Sequence, residues 1–396
     1  MENSKEELLT ALGSISSGDF EGNGVQRLKF VEAAKKLVSR LETNVEKIFD
    51  ITFAQPAVFA ALQTCLDLGL WEAWTAAGGG AKSVEELSKL CKQDVDPNLA
   101  RSVNIVEQTG ADTYKTTLFS LTFGDRNSLM PQSIQCRTHH WQDGCVNLPK
   151  YLAKIGYKEP QDAKNTNYAD WCPEKLDFFS KCVAEPAYQD SFSGFMTAWA
   201  TYKLPWPEFF DTKSLVAGAD LSNGGVLCVD IGGHHGLDLT RLLNKHPDVP
   251  AGSLVLEDLP EVVSGAKNVN GKIKVLPHDM FQSQPVKGSL LKRSRAYYFH
   301  AVFHDWPDNV AVNALRNTAD AMRKGYSKLL INDMVLPPTG ASATQATMDV
   351  EMMAIVSAYE RTEAMWTSLL NDAGFEIIKI WADGRGNESV IEAELA

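Results

Sequence analysis

The stretch from Val229 to Gly236, VDIGGHHG, joins an apolar run to a sequence with helical periodicity. Glycine has no side chain, so Gly232 and Gly233 allow the backbone to approach a bound cofactor closely. A pyrophosphate-binding G-x-G-x-x-G motif would require glycine where the chain has His234. The stretch therefore predicts a nucleotide-type site between a strand and a helix, but argues against a plain NAD site.

Outward from this turn, short apolar runs alternate with helical stretches, which is typical of a parallel sheet covered on both faces. The sequence predicts a doubly wound α/β domain. Two further runs flank a turn at 383–387 and predict an antiparallel pair at one end of the sheet. The predicted parallel strands are 226–231, 254–256, 273–276, 296–299 and 329–331, and the antiparallel pair is 376–381 and 390–393.

Acidic residues follow the second and third predicted strands. Asp258 lies about 20 residues beyond the glycine turn, where a carboxylate can accept both hydroxyls of a ribose. The alternative is an acid stabilised by the dipole of the next helix. Asp279 could accept from an adenine amino group while Met280 packs on the ring, although a methionine alone is more often a core residue.

His304 follows the fourth predicted strand, at the edge where open α/β sheets bind ligands. A phenol has a pKa of about 10 and imidazole about 6.5, so a neutral histidine can accept the phenolic proton as the oxygen attacks a methyl group. Asp333 and Glu360 are candidates to hold this base. Their alternatives are a strand-end acid and a helix-surface acid paired with Arg361.

The first 119 residues predict helices over 26–52, 56–71 and 98–109, with a stop at Gly69 and a short strand at 114–117. Ser83 and Glu86 form a capping-box pattern. This order resembles a winged helix, but the last helix carries one arginine, so protein contact in a homodimer is favoured over DNA binding. The domains predicted are 1–119 for dimerisation, 120–210 as a helical connector that lines a pocket, and 211–396 as the catalytic domain.

The charge and composition of the chain argue against several classes of binding partner. The formal charge of -12 argues against nucleic acid and anionic membranes, and we find neither a signal peptide nor about 20 consecutive apolar residues. A cytoplasmic protein with a small-molecule substrate is expected. The seven cysteines are scattered, which predicts reduced thiols without a disulfide or zinc site.

Taken together, these motifs resemble the small-molecule O-methyltransferases of plants and fungi that include caffeate O-methyltransferase. The resemblance runs from about residue 50 to the end. It implies a winged-helix dimerisation domain, a Rossmann-like domain that binds S-adenosylmethionine (SAM) without metal, and O-methylation of a small aromatic or polyketide-type secondary metabolite. The motifs that carry it are DIGG at 230–233, EDLP at 257–260, DMF at 279–281, FHDW at 303–306, LP at 336–337 and ERT at 360–362.

The resemblance also assigns roles to individual residues. His304 would be the general base, with Asp333 and Glu360 flanking it. Phe192 and Met196 would line the pocket. The residues implied in SAM binding are Gly232, Gly233, Asp258, Asp279, Met280 and His300.

The chain departs from the family pattern in three places: the family usually has Gly at His234, Glu at Asp333 and often Lys at His300. Some fungal relatives do not methylate, and use bound SAM as a fixed positive charge for dehydration or pericyclic ring formation. In that alternative, His139 and His140 could reach over the pocket and polarise a carbonyl; otherwise they lie in a solvated loop. A non-catalytic SAM-binding scaffold is a third hypothesis.

Overall fold

The computed structural model describes residues 2–96, 105–266, 269–287, 294–386 and 388–396, with the side chains of 2–4 left undescribed. Within these ranges the N-terminal part is helical and the C-terminal part is built around a large mixed sheet. The first helices are α1 Glu2–Ser14, α2 Gly24–Leu41, α3 Asn44–Phe49, α4 Gln55–Asp67, α5 Leu70–Ala76 and α6 Val84–Ser88.

The single helix predicted over 26–52 is wrong, because a new helix starts at α3. The Thr43 hydroxyl accepts from the Glu46 amide, and the Glu46 carboxylate accepts from the Thr43 amide at 2.7 Å. This capping box ends one helix and begins the next. A π-helical turn, Asp50–Ala54, then joins α3 to α4, and Gly69 follows in a left-handed conformation with φ of 69°. The predicted stop at Gly69 is confirmed.

A small antiparallel sheet follows, in the order β1, β3, β2. Its strands are β1 Lys82–Ser83, β2 Val106–Gly110 and β3 Thr113–Thr116. The capping box at Ser83 is confirmed, since its amide donates to Glu86 at 2.8 Å. The helix predicted over 98–109 is wrong at its end, because Val106–Gly110 pairs with β3. Its first part falls at 97–104, outside the described residues.

The N-terminal helices expose large apolar side chains. Leu41 is 73% exposed and Val45 is 75% exposed. The continuous helical segment Asn44–Asp67 is long and apolar enough to cross a membrane by length and composition, and 6% of its apolar window is buried. The sequence analysis missed this segment because it looked for consecutive apolar residues, and polar residues interrupt the run. Core helices of soluble proteins pass the same test, so one such helix is weak support for a membrane span.

The middle of the chain is a set of helices that pack on one another and on the end of the sheet. As predicted for 120–210, this part of the chain is largely helical. The helices are α7 Leu118–Leu121, α8 Met130–Cys136, α9 Gln142–Lys154, α10 Asn167–Trp171, α11 Phe178–Ala184 and α12 Pro186–Tyr202, with a π-helical turn at Arg137–Trp141 between α8 and α9.

The large sheet has seven strands in the order β11-β12-β8-β7-β4-β5-β6. The five adjacent strands from β8 to the edge strand β6 are parallel, and β12 runs antiparallel between β8 and β11. The predicted doubly wound domain with an antiparallel pair is thus confirmed. The strands are β4 Cys228–Ile231, β5 Leu254–Asp258, β6 Ile273–Pro277, β7 Ala296–His300, β8 Lys328–Asp333, β11 Phe375–Ala382 and β12 Ser389–Leu395, with the two-residue strands β9 Val335–Leu336 and β10 Arg361–Thr362 paired apart from the sheet.

Helices cover the sheet and complete its core. The inward side chains of the central strands are fully buried, as expected for a parallel sheet. The strand order reverses between β4 and its neighbours β5 and β7, and the crevice at such a point is where these sheets bind ligands. The helices are α13 Thr212–Ala217, α14 Leu237–Lys245, α15 Pro260–Gly265, α16 Asp308–Ala321, α17 Ala343–Val356 and α18 Glu363–Asp372.

Candidate active site

The glycine turn after β4 packs closely against a buried carboxylate. Gly232 has φ of 76°, and a Cβ on Gly233 would lie 2.5 Å from Cγ of Asp230. Asp230 is 1% exposed, and neither of its carboxylate oxygens has a hydrogen-bond partner among the described residues. Burial, followed by the charge of Asp238, raises the pKa of Asp230 well above its usual range. An orphaned carboxylate beside a side-chain-free turn fits a positively charged group such as the ammonium of SAM.

Asp258 and Asp279 end neighbouring strands at the same edge. The two Asp258 oxygens accept from the amides of His234 and Leu259, each at 2.8 Å. One lone pair on each oxygen remains for a ribose hydroxyl. Asp279 accepts from the Phe281 amide at 2.9 Å, and Met280 packs partly buried against the core. The structure therefore places the glycine turn, Asp258 and Asp279 at one edge of the sheet, after the neighbouring strands β4, β5 and β6.

His234 is held in a strained position inside the glycine turn. Its φ is 51°, which is uncommon for a residue with a side chain. The ring stacks on His235 with centroids 3.8 Å apart, and Nε2 lies 3.3 Å from the Ser193 hydroxyl of α12. Burial and the neighbouring His235 lower the pKa of His234 to about 4, so the ring is neutral. His234, where the family usually has glycine, thus connects the turn to α12 through Ser193.

His304 lies among three carboxyl groups. Its Nδ1 is 2.9 Å from Oε1 of Glu360 and 3.7 Å from Oδ1 of Asp333, and its Nε2 is 3.7 Å from Oδ1 of Asp305. Burial alone lowers the pKa of His304, but the charges of Asp333, Glu360 and Asp305 outweigh it and raise that pKa to about 10. Nδ1 is therefore engaged, and Nε2 is the nitrogen left for a substrate.

The acids around His304 are themselves buried. Burial raises the pKa of Asp333 to about 6 and that of Asp305 to about 7. Oδ2 of Asp333 and Oε2 of Glu360 lack partners among the described residues. The donor atoms of His304, Asp333 and Glu360 lie within 4.8 Å of one another, which is close enough to hold a cation.

The interpretation of Glu360 as a surface acid paired with Arg361 is wrong. Glu360 is 2% exposed, and Arg361 instead donates to Asp308 at 2.8 Å. Arg361 also donates at 2.7 Å to the carbonyls of Phe303 and Trp306. Because these carbonyls bracket His304, the guanidinium fixes the turn that carries it.

His300 has both ring nitrogens occupied by protein. Nδ1 lies 2.5 Å from Asp238, and Nε2 lies 3.1 Å from both oxygens of Glu388. Burial lowers the pKa of His300, but Glu388 and Asp238 outweigh it and raise that pKa to about 10. Neither ring nitrogen is left for a cofactor, and the assignment of His300 to SAM binding stays a prediction. The sequence patterns did not reveal Asp238 or Glu388, nor Lys203, which also donates to Glu388.

A cavity of about 70 Å³ lies at His304. Phe192 and Met196 line it, as do Lys203 and Glu388. Half of its lining residues are aromatic or methionine. The other lining residues are Trp141, Phe178, Phe195, Trp199, Ala301, His304, Asp305, Asp333, Met334, Met348, Met352, Ile355, Val356 and Glu360.

His139 and His140 are not among the residues that line this cavity. His140 is fully buried, with Nδ1 3.0 Å from the Tyr168 hydroxyl and Nε2 3.2 Å from the Tyr188 carbonyl. His139 lies 2.9 Å from the Ser191 hydroxyl and stacks on Tyr188. Burial lowers the pKa of both rings. The two histidines belong to a helical core, so neither the pocket nor the solvated-loop interpretation fits them.

Comparison with known proteins gives a consistent set of relatives. Residues 209–376 match the model of the O-methyltransferase domain family. The O-methyltransferase ATR12 of Stachybotrys chlorohalonatus is 42% identical, over all of both chains. The O-methyltransferase mfmE of Annulohypoxylon moriforme is 35% identical, over 98% of this chain and 96% of that one.

Solved structures share the fold over nearly the whole chain. LepI in complex with SAM has a TM-score of 0.86 at 24% identity, covering 99% of this chain and all of that one; a structure described as a pericyclic reaction enzyme gives the same values. OxaC, in complex with S-adenosylhomocysteine (SAH) and oxaline, has a TM-score of 0.81 at 22% identity, covering 98% and 96%.

Proposed function

The chain belongs to the O-methyltransferase family, and from that premise we propose that it methylates a hydroxyl of a small aromatic or polyketide-type metabolite, with His304 as general base. The observation that carries this proposal is the hydrogen bond of 2.9 Å between His304 and Glu360 at the end of the cavity. Two O-methyltransferases of matching length at 42% and 35% identity support methyl transfer over other reactions of this fold.

The contacts of His304 support a path for the proton. With Nδ1–H donating to Glu360, the lone pair of the imidazole is on Nε2, facing the hydroxyl to be methylated. A phenol has a pKa of about 10, and His304 has a pKa of about 10 in this environment. Proton transfer between the two is therefore close to balanced, and Glu360 and Asp333 stabilise the imidazolium that forms.

SAM, when bound, supplies an electrophilic methyl group and a positive charge. Gly232 and Gly233 would let the backbone approach it closely, and Asp230 would pair with its ammonium. Asp258 would bind the ribose, and Asp279 with Met280 would bind the adenine. The orphaned Asp230 carboxylate beside a turn without side chains supports this assignment.

The test is a mass balance. The protein is incubated with SAM and a set of phenolic and polyketide-type compounds, and SAH and product mass are measured together. Stoichiometric SAH with a product heavier by one methylene is expected. Turnover without SAH would contradict methyl transfer.

A second candidate is a reaction in which SAM acts as a fixed charge without methyl transfer. The raised pKa of His304 favours it, because an imidazolium at neutral pH donates to a carbonyl rather than accepting from a hydroxyl. Product of unchanged mass, or lighter by one water, would then form without SAH, and the methyl-free cationic analogue sinefungin would support the reaction. Tight SAH binding with no turnover on any compound would point to a scaffold.

We also propose that residues before about 119 form a homodimer. Support comes from apolar side chains exposed on the N-terminal helices, among them Val45, Phe53 and Leu118 at 75%, 63% and 88%. Burying such a surface against a second copy removes it from water. Light scattering at micromolar concentration is expected to give twice the monomer mass, and a monomer would contradict the proposal.

A further inference from the structure

The cavity at His304 carries a second polar group that the proposed proton transfer does not use. Lys203 follows α12, and Glu388 immediately precedes β12; both line the cavity. Their side chains are 8% and 6% exposed, and the Lys203 ammonium donates to Glu388. Lysine is almost never buried to this degree without a partner. The pair places an ammonium in a wall that is otherwise largely apolar.

Neighbouring strands explain how this pair reaches the reaction centre. Ser389 of β12 pairs with Asp333 of β8, and Asn332 of β8 pairs with His300 of β7. Glu388, Asp333 and His300 therefore lie side by side at one edge of the sheet. Lys203 is drawn to the same edge by its bond to Glu388.

The Glu388 carboxylate is engaged by two cationic side chains. Both of its oxygens lie 3.1 Å from Nε2 of His300, and one also accepts from Lys203. Although burial raises the pKa of Glu388, the charges of Lys203 and His300 outweigh it and lower that pKa to about 2. Asp238 holds His300 from its other side. Glu388 is thus a fixed anion that orients Lys203.

Lys203 keeps hydrogen-bond capacity for a ligand. An ammonium has three N–H donors. Among the described residues, its contacts are the hydrogen bond to Glu388 and the face of Trp199, with Nζ 5.6 Å from the ring centroid. An N–H donor in an apolar cavity calls for an acceptor oxygen on whatever fills the cavity.

Stability alone does not explain this arrangement. Buried ion pairs are often replaced by apolar residues of similar volume with no loss of stability, because desolvation offsets their attraction. The chain instead maintains Lys203, Glu388, His300 and Asp238 as a linked row of buried charges that ends at the cavity. Because Lys203 and Glu388 line the cavity, these charges are placed to bind a polar group of the ligand.

We propose that Lys203 binds a carbonyl oxygen of the substrate, so that the substrate is a hydroxylated aromatic ketone or related conjugated carbonyl compound. The aromatic and methionine wall holds its flat body, His304 meets the hydroxyl and Lys203 meets the carbonyl. This assignment rests on the proposed function, and it names the substrate class for the same cavity.

Matched probes test this assignment without knowledge of the natural substrate. The three ring isomers of hydroxyacetophenone are compared with the three ethylphenols, which have the same size and hydroxyl but no carbonyl. Binding is measured by calorimetry, with and without SAH. At least one ketone is expected to bind about tenfold more tightly than its ethylphenol, corresponding to about 1.4 kcal/mol.

Variants assign the preference to Lys203. Lys203→Met, which keeps the length of the side chain, is expected to abolish the ketone preference, and Lys203→Arg to restore part of it. Lys181→Met is the matched control: its side chain is also 8% exposed and pairs with Glu174, but Lys181 does not line the cavity, so the preference should persist.

Two results would overturn the assignment. One is a wild-type protein that shows no ketone preference, including no binding of either probe. The other is a preference that survives in Lys203→Met. Failure of SAH to bind in the same titrations would contradict the proposed function, and because the probes are also measured without SAH, the two failures are distinguishable.

Discussion

Two histidines lie four residues apart at the end of strand β7, where His300 is the last residue of the strand, and carboxylates raise the pKa of each to about 10. They differ in how their ring nitrogens are used. His300 has both nitrogens within 3.1 Å of carboxylates, whereas His304 has one at 2.9 Å and the other no closer than 3.7 Å to an acid. His300 is therefore fully paired with protein groups, whereas His304 keeps one ring nitrogen available to react with a substrate.

The partners of the two histidines differ as well. The pKa of Glu388 beside His300 is lowered to about 2, while that of Asp333 beside His304 is raised to about 6. Asp333 can take up a proton near neutral pH and Glu388 cannot. Charge around His304 is therefore adjustable, and charge around His300 is fixed.

The largest effect is expected from His304→Ala on the rate. Removing a positioned general base should lower the rate of methyl transfer by about 10²–10⁴. SAH affinity, measured by calorimetry, should change little, since the described contacts of His304 are with acids outside the glycine turn. The loss should shrink as pH approaches the pKa of the substrate hydroxyl. A full rate in the variant would remove His304 from the mechanism.

His300→Ala should act on stability. It leaves the buried carboxylates of Asp238 and Glu388 short of a cation, which should cost about 3–5 kcal/mol in the free energy of unfolding measured with urea at pH 7. The pKa of His300 is about 10 in the folded protein and about 6.5 when unfolded. Its stabilisation is therefore present below pH 6.5 and lost as pH rises through about 10.

His246→Ala serves as the control for that measurement. His246 is half-buried, and its Nε2 lies 2.8 Å from the Thr212 hydroxyl without a carboxylate partner. Losing one neutral hydrogen bond should cost about 1 kcal/mol. Equal destabilisation by the two variants would show that the charges around His300 contribute nothing particular.

The pH dependence of the rate should follow His304. The neutral imidazole is the base, so the rate should rise with pH by up to about tenfold per unit, with a midpoint above 6.5 and no higher than about 10. Glu360→Gln removes a charge that raises this pKa, and should move the midpoint to lower pH. A rate that falls with rising pH would favour the imidazolium as donor, and with it the non-methylating reaction.

The smallest effect concerns the cofactor side of the crevice. Asp258→Ala should weaken SAH binding at least about tenfold, about 1.4 kcal/mol, through loss of a charged acceptor. The exposed Asp248 provides a control that should leave the affinity unchanged on substitution to alanine. Unchanged affinity in Asp258→Ala would exclude it from the cofactor site.

The sheet could be predicted from the sequence because its signals are local. Apolar runs between turns mark β4 to β8, and each motif acid falls at the end of its strand. The helix predicted over 98–109 fails at Val106–Gly110, because pairing with β3 outweighs helical periodicity. The antiparallel pair β11 and β12 is recognisable from the turn at 383–387 between its strands. The insertion of β12 beside β8, however, is a long-range pairing that no local pattern contains.

Within the site, His304 and its acids could be recognised from motifs, whereas the contacts of His300 could not. Lys203 and Glu388 are 185 residues apart, and neither has a distinctive neighbourhood in sequence. His140 was misjudged for a related reason, since its burial depends on Tyr168 and Tyr188, 28 and 48 residues away. Side chains that are so far apart along the sequence form no recognisable spacing pattern.

The position of Glu388, immediately before β12, also bears on how the protein matures during synthesis. The ribosome makes Glu388 185 residues after Lys203 and 88 residues after His300. Until then Lys203 and His300 lack the carboxylate that they share in the folded protein. Strand β8 also has an unpaired edge where β12 will bind. The parallel strands can associate earlier, but the cavity is completed only when that late segment docks. A nascent chain stalled before residue 388 should therefore expose an unfinished sheet edge, which is a natural target for chaperones.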